Sequence, residues 1–140
     1  MKPTDALARA LLSGLFLSAG AKTVRSPSGL APKAEAVTAP IERLARQVLP
    51  AKLAEPVTAD NFVRLNGAAQ VAAGVALATG AAPRLGAGVL AASLVPTTFA
   101  GHAFWKETDP KARAAQRLQV LKNAAIAGGL LTVALGEDRS

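Results

Sequence analysis

Charged and apolar positions in this chain are segregated into long blocks. No charge occurs between Arg64 and Arg84, a window of 19 residues from Leu65 to Pro83, and none between Arg84 and Lys106, a window of 21 residues from Leu85 to Trp105. At a helical rise of about 1.5 Å per residue these windows run about 28 and 31 Å, close to the ~30 Å thickness of a bilayer's hydrocarbon core. A surface helix of a soluble protein would place charge on its wet face every three or four residues, and neither window is interrupted in that way. The pattern predicts a transmembrane helical hairpin turning at Ala82-Pro83-Arg84. A buried helix pair in an Ala-rich soluble bundle is the alternative that periodicity leaves open.

Two weaker apolar segments flank the hairpin. Ala6 to Ala21 can span if Arg9 reaches the headgroups, and Leu118 to Gly136 can if Lys122 does the same. The expectation is an all-α fold: one membrane domain, residues 1–140, with a four-transmembrane-helix bundle over about 6–21, 65–83, 85–105 and 118–136. Small residues four apart (Gly74 and Ala78, Ala87 and Ala91, Gly88 and Ala92, Ala124 and Gly128, Ala125 and Gly129) offer faces on which helix backbones can approach closely. The N-terminus has a second reading. Lys2 and Arg9 precede the apolar run, and Ala19-Gly20-Ala21 also fits the cleavage site of a signal peptide.

The loop 22–64 is punctuated by Pro27, Pro32, Pro40, Pro50 and Pro56. Between Pro40 and Pro50, residues Ile41, Leu44, Ala45, Val48 and Leu49 fall on one helical face, with Glu42 and Arg46 four apart on the other. Beside transmembrane spans this reads as an amphipathic interfacial helix lying on the headgroups. Thr58 or Asp60 is placed to cap the second span, and Asp109-Pro110 to start the last helix outside the membrane. Twelve of the 16 Lys and Arg residues lie on one side, seven in the first connection and five in the third, leaving Lys2, Arg9, Arg84 and Arg139 on the other. The positive-inside rule then puts both connections in the cytoplasm and both termini outside.

Composition narrows the chemistry. There is no Cys and a single His, which excludes a disulfide framework, a thiolate metal site, an iron–sulfur cluster and a bis-His haem within one subunit. The net charge of +7 does not make a nucleic-acid surface, because acids interleave with the bases and no aromatic residues are interspersed for stacking. No metal site and no catalytic residues are expected: Asp109, Glu137 and Asp138 lie outside the spans, and no Ser/His/Asp arrangement or phosphate loop occurs.

Counting residues outward from the Pro83/Arg84 corner places Asn66 level with His102, and Gln70 level with Thr97 and Thr98. Asn123 begins the last span on the same side. Asn66, Gln70, His102 and Asn123 are therefore the candidate binding residues, in one of two readings. They line a polar pocket for a quinone headgroup, a small anion or a lipid phosphate, with His102 able to exchange a proton near neutrality. Or they hydrogen-bond between helices and cap helix ends, with Trp105 an interfacial anchor.

The stretch from Val63 to Ala134 resembles the DoxX family of small four-helix bacterial membrane proteins. The resemblance rests on Arg64-Leu65-Asn66-Gly67-Ala68-Ala69-Gln70 through Gly74, and on Val95-Pro96-Thr97-Thr98-Phe99-Ala100-Gly101-His102 leading into Phe104-Trp105. Asp109-Pro110, Ala114-Ala115-Gln116-Arg117, Leu121-Lys122-Asn123 with Gly128-Gly129, and the N-terminal Arg9, Phe16, Gly20 and Lys22 add to it. The resemblance implies a multi-pass protein of the bacterial plasma membrane whose first helix is retained. Some relatives are associated with thiosulfate:quinone oxidation, others with redox-defence assemblies. It thus implies an accessory or anchoring subunit that recruits soluble redox enzymes on the cytoplasmic side. The alternatives are a quinone-binding subunit, and a lipid- or solute-handling protein without redox chemistry. A homo-oligomer is compatible with each.

Overall fold

A computed structural model of the protein describes residues 3–136, and among them every regular element is helical. The helices are α1 (Pro3–Arg25), α2 (Ala31–Val48), α3 (Ala51–Ala54), α4 (Ala59–Thr79), α5 (Pro83–Gly101) and α6 (Pro110–Leu135), with single 3₁₀ turns at Pro27–Gly29 and Phe104–Lys106. Lys2, Glu137, Asp138 and Arg139 lie outside the described residues.

Helix ends follow local chemistry. Thr58 is the cap of α4, its Oγ1 accepting from the Asn61 N–H at 3.3 Å. Gly80, at φ +74°, stops the same helix in the left-handed conformation that glycine adopts at little cost. Pro83 opens α5, and Asp109 caps α6 through the Ala112 N–H at 2.7 Å, with Pro110 as the first helical residue. The expected start of the last helix near Pro110 is therefore found.

Other boundaries differ from expectation. The second helix begins before Leu65 and ends at Thr79, so the corner is Gly80–Ala82 and lies N-terminal of the expected one. The third ends at Gly101, where the chain turns through Phe104–Lys106 instead of running on to Trp105. Pro40 does not start the loop-one helix but lies inside α2. Its missing N–H leaves the Ala36 carbonyl without its usual helical donor. Packing outweighs that loss: α2 lies against α4 and α5 and buries Ala31, Ala34, Thr38 and Ala45.

The long helices pack in the order α1, α4, α5, α6, with α2 laid across α4 and α5. Phe16, Ala73, Leu77, Ala87, Leu90, Leu94 and Leu130 form the core. The closest helix approaches use glycines outside the pairs singled out from spacing, although Gly74 and Ala87 of those pairs are buried, a Cβ on Gly74 standing 3.1 Å from Leu17. A Cβ on Gly20 would stand 2.7 Å from the Gly67 carbonyl oxygen, and one on Gly86 would stand 2.7 Å from the Ala73 carbonyl oxygen. Gly88 and Gly128, by contrast, have nothing within 4 Å of that position.

Three stretches are long and apolar enough to cross a membrane: α1, residues 83–106, and α6. Outward-facing Leu7, Leu11, Leu15, Leu118, Leu121, Leu131 and Leu135 are exposed along α1 and α6, as lipid-facing side chains should be. The helix that falls short of this group is α4, which carries Asp60, Arg64, Asn66 and Gln70. It packs against α1, α2 and α5.

Candidate functional site

The four candidate residues sit on two helix seams, both lined by α5. On the α4–α5 seam the Asn66 amide Nδ2 donates to Thr97 Oγ1 at 3.5 Å, and the Gln70 Nε2 donates to Ser93 Oγ at 3.3 Å. Asn66 and Gln70 are four apart on α4, as Ser93 and Thr97 are on α5, so two antiparallel helices bring both pairs into register. The same register carries Gly86 to Leu77, whose N would be 3.1 Å from a Cβ on Gly86.

The hydroxyls on α5 can accept because their own protons are already committed. Ser93 Oγ donates to the Leu90 carbonyl at 2.8 Å, and Thr97 Oγ1 donates to the Ser93 carbonyl at 2.7 Å. Each oxygen then presents a lone pair to an amide of α4. Gln70 and Ser93 are both buried, so their bond satisfies polar groups that neither water nor lipid could.

On the α5–α6 seam Asn123 Nδ2 donates to Thr98 Oγ1 at 2.9 Å, and His102 Nδ1 is 2.8 Å from Gln116 Oε1. The amide oxygen can only accept, so Nδ1 carries the proton and, in the neutral ring, Nε2 is the acceptor. Phe99, Phe104 and Trp105 cluster beside this end of α5, with ring centroids 5.8 Å (Phe99–Trp105) and 5.2 Å (Phe104–Trp105) apart. Trp105 is exposed.

The structure thus brings the four residues to one helix but not to one another. None hydrogen-bonds another of the four, and Asn66 is paired with Thr97 rather than levelled with His102. Ser93 and Gln116 complete the set and were not singled out from the sequence. Ser93 was legible in principle as the serine four residues before Thr97. Gln116 was not, since it lies in the connection expected to stand clear of the spans.

Arg9 and Arg84 are at the other end. The Arg9 guanidinium lies beside Gly80, its Nη1 3.2 Å from where a Cβ would stand, at the C-terminus of α4. Arg84 Nη2 donates to the Gly136 carbonyl at the end of α6. Both cations therefore face helix C-termini, where unsatisfied carbonyls and the helix dipole favour positive charge.

Two surface grooves lie elsewhere. One, of about 430 Å³, follows the first turns of α6 and is lined by Pro110, Arg113, Ala114, Arg117, Leu118 and Leu121. The second, of about 390 Å³, lies between α2 and the start of α4, at Glu35, Glu42 and Thr58 to Asp60. Since Glu35 and Glu42 are two turns apart, α2 runs across the N-terminus of α4. Thr38 Oγ1, on this helix, is a buried polar atom with no hydrogen-bond partner.

A model of the DoxX family matches residues 4–103, which includes α1 to α5 and, of the four candidates, Asn66, Gln70 and His102. No curated protein and no solved structure matches the chain.

Proposed function

Since the chain belongs to the DoxX family, we propose that it is an integral anchoring subunit of a membrane redox system, not catalytic alone, in the bacterial plasma membrane. In this reading residues 1–140 are one domain in which α1, α4, α5 and α6 all span the bilayer. The polar residues of α4 are tolerable there because its neighbours supply their partners. The exposed Ile41, Leu44 and Val48 of α2, with Leu49 just after it, rest on the headgroups, and the cation-rich connections face the cytoplasm and soluble redox enzymes.

The observation that carries this reading is the use of the candidate residues. Asn66, Gln70 and Asn123 each direct one amide N–H at a hydroxyl of α5. A bond of this kind within a membrane contributes about 0.6 kcal/mol on average and up to about 1.7. The set acts as a row of fasteners, and the grooves available to a partner lie at the ends of α4 and α6.

A second reading is favoured by His102. With Nδ1 held by Gln116, its Nε2 is an acceptor that a quinol hydroxyl could use. A quinone carbonyl would, however, have to reach the second N–H of an amide held in a helix seam, where Gln70 is buried. Thermal unfolding of the purified protein in mild detergent separates the two. We expect Gln70→Ala to lower the midpoint and a short-chain quinone analogue to leave the wild-type midpoint unchanged. A rise in midpoint with the analogue that is abolished by His102→Ala would establish the second reading instead.

A further inference from the structure

We propose that the groove along the first turns of α6 is a binding site for one anionic phospholipid. Its lining changes character along the helix. Arg113 and Arg117 stand one turn apart at one end, and Leu118 and Leu121 continue the wall toward the exposed apolar length of α6. From Arg113 to Leu121 is about 12 Å at a helical rise of about 1.5 Å per residue, the depth over which a bilayer passes from headgroup to acyl chain. With 26 residues, α6 is about 39 Å long and exceeds the ~30 Å hydrocarbon core, so its first turns stand at headgroup level when the rest crosses.

The arginines are suited to a phosphate. Arg113 is held in place by its Nε and Nη2, which donate to the Glu107 carbonyl at 3.0 and 2.7 Å. Three further N–H groups of that guanidinium remain for an anion. Arg117 is exposed. Residues 106–122 carry five cations, Lys106, Lys111, Arg113, Arg117 and Lys122, against two acids, Glu107 and Asp109, so the balance of this stretch is positive. Free phosphate would satisfy the arginines but leave the leucines uncovered, whereas a zwitterionic lipid would cover the leucines but bring a choline cation beside its phosphate, adding no net negative charge against the two arginines. A lipid with an anionic headgroup does both. The inference rests on α6 crossing the bilayer and is independent of any redox role.

The test is native mass spectrometry of the full chain released from nanodiscs of equal phosphatidylglycerol and phosphatidylcholine. The wild type should retain phosphatidylglycerol over phosphatidylcholine by about tenfold or more, the scale set by two arginines at a membrane surface. Arg113→Gln/Arg117→Gln should abolish that preference, while Lys106→Gln/Lys111→Gln, which are off the groove, should lower it markedly less. Arg117→Gln alone breaks no described hydrogen bond and should lower the preference even if the double variant fails to fold. Leu118→Gln/Leu121→Gln should release the bound lipid with the arginines intact. Equal retention of the two lipids by the wild type, equal loss in both pairs of cation variants, or displacement by excess inorganic phosphate would each overturn the proposal.

Discussion

Gly20 and Gly14 lie six residues apart on α1, yet an added methyl group should act oppositely at the two positions. At Gly20 the Cβ would stand 2.7 Å from the Gly67 carbonyl oxygen, 3.0 Å from Val71 Cγ2 and 3.1 Å from Gln70 Cβ. The first is backbone and the last is the root of a side chain, so neither can swing aside and the helices must separate. Overpacking of this kind costs about 1–3 kcal/mol. Removing a helical glycine returns up to about 1 kcal/mol of propensity. At Gly14 nothing lies within 4 Å and only the propensity gain applies. Since that gain is common to both variants, the difference between Gly20→Ala and Gly14→Ala isolates packing and should be about 1–3 kcal/mol. Gly86→Ala and Gly88→Ala repeat the contrast on α5. Helical circular dichroism, followed as a denaturing detergent is titrated into the protein in a mild one, reads it directly. Equal midpoints for Gly20→Ala and Gly14→Ala would refute the close α1–α4 approach.

Further outcomes follow from the helix ends and from α2. Asp109→Ala removes the cap of α6 and should cost about 1 kcal/mol; amide exchange at Ala112 should accelerate while exchange in α4 does not. Spin labels at Leu44 and Val48 should collide with membrane-dissolved oxygen more than with a water-soluble relaxant. A label at Arg43 should show the reverse, and water-like accessibility at all three positions would remove α2 from the membrane surface.

The helical class, the tight hairpin, the caps at Thr58 and Asp109 and the membrane character of α1, α5 and α6 were readable from charge spacing and cap chemistry. The register between α4 and α5 was not. Depth was counted from Pro83 and Arg84, but Gly80 ends α4 first, in a left-handed conformation that composition does not announce. Moving the corner by those few residues shifts the facing positions by about one helical turn, which is why Asn66 meets Thr97 instead of His102. Pro40 misled for a related reason, since a proline breaks an isolated helix, whereas tertiary packing of Ala34, Thr38 and Ala45 carries α2 through it. Spacing also could not say which glycines are used. In an Ala-rich chain small residues recur on every face, and only the crossing geometry selects Gly20, Gly67 and Gly86. The four candidate residues were legible as polar positions near the apolar windows, and Ser93, on the α4–α5 seam, was passed over. Their partners depended on register, and so on what the corner concealed.

In the proposed role the chain anchors redox enzymes and holds its own polar residues in helix seams. That role is tested most directly by quinone-dependent thiosulfate oxidation, measured on the affinity-purified chain from native membranes before and after a salt wash that strips bound soluble proteins. An anchor should give turnover in the unwashed fraction, its loss from the washed chain, and its return when the stripped proteins are added back. Full turnover by the washed chain alone, lost on His102→Ala with the fold intact, would contradict it.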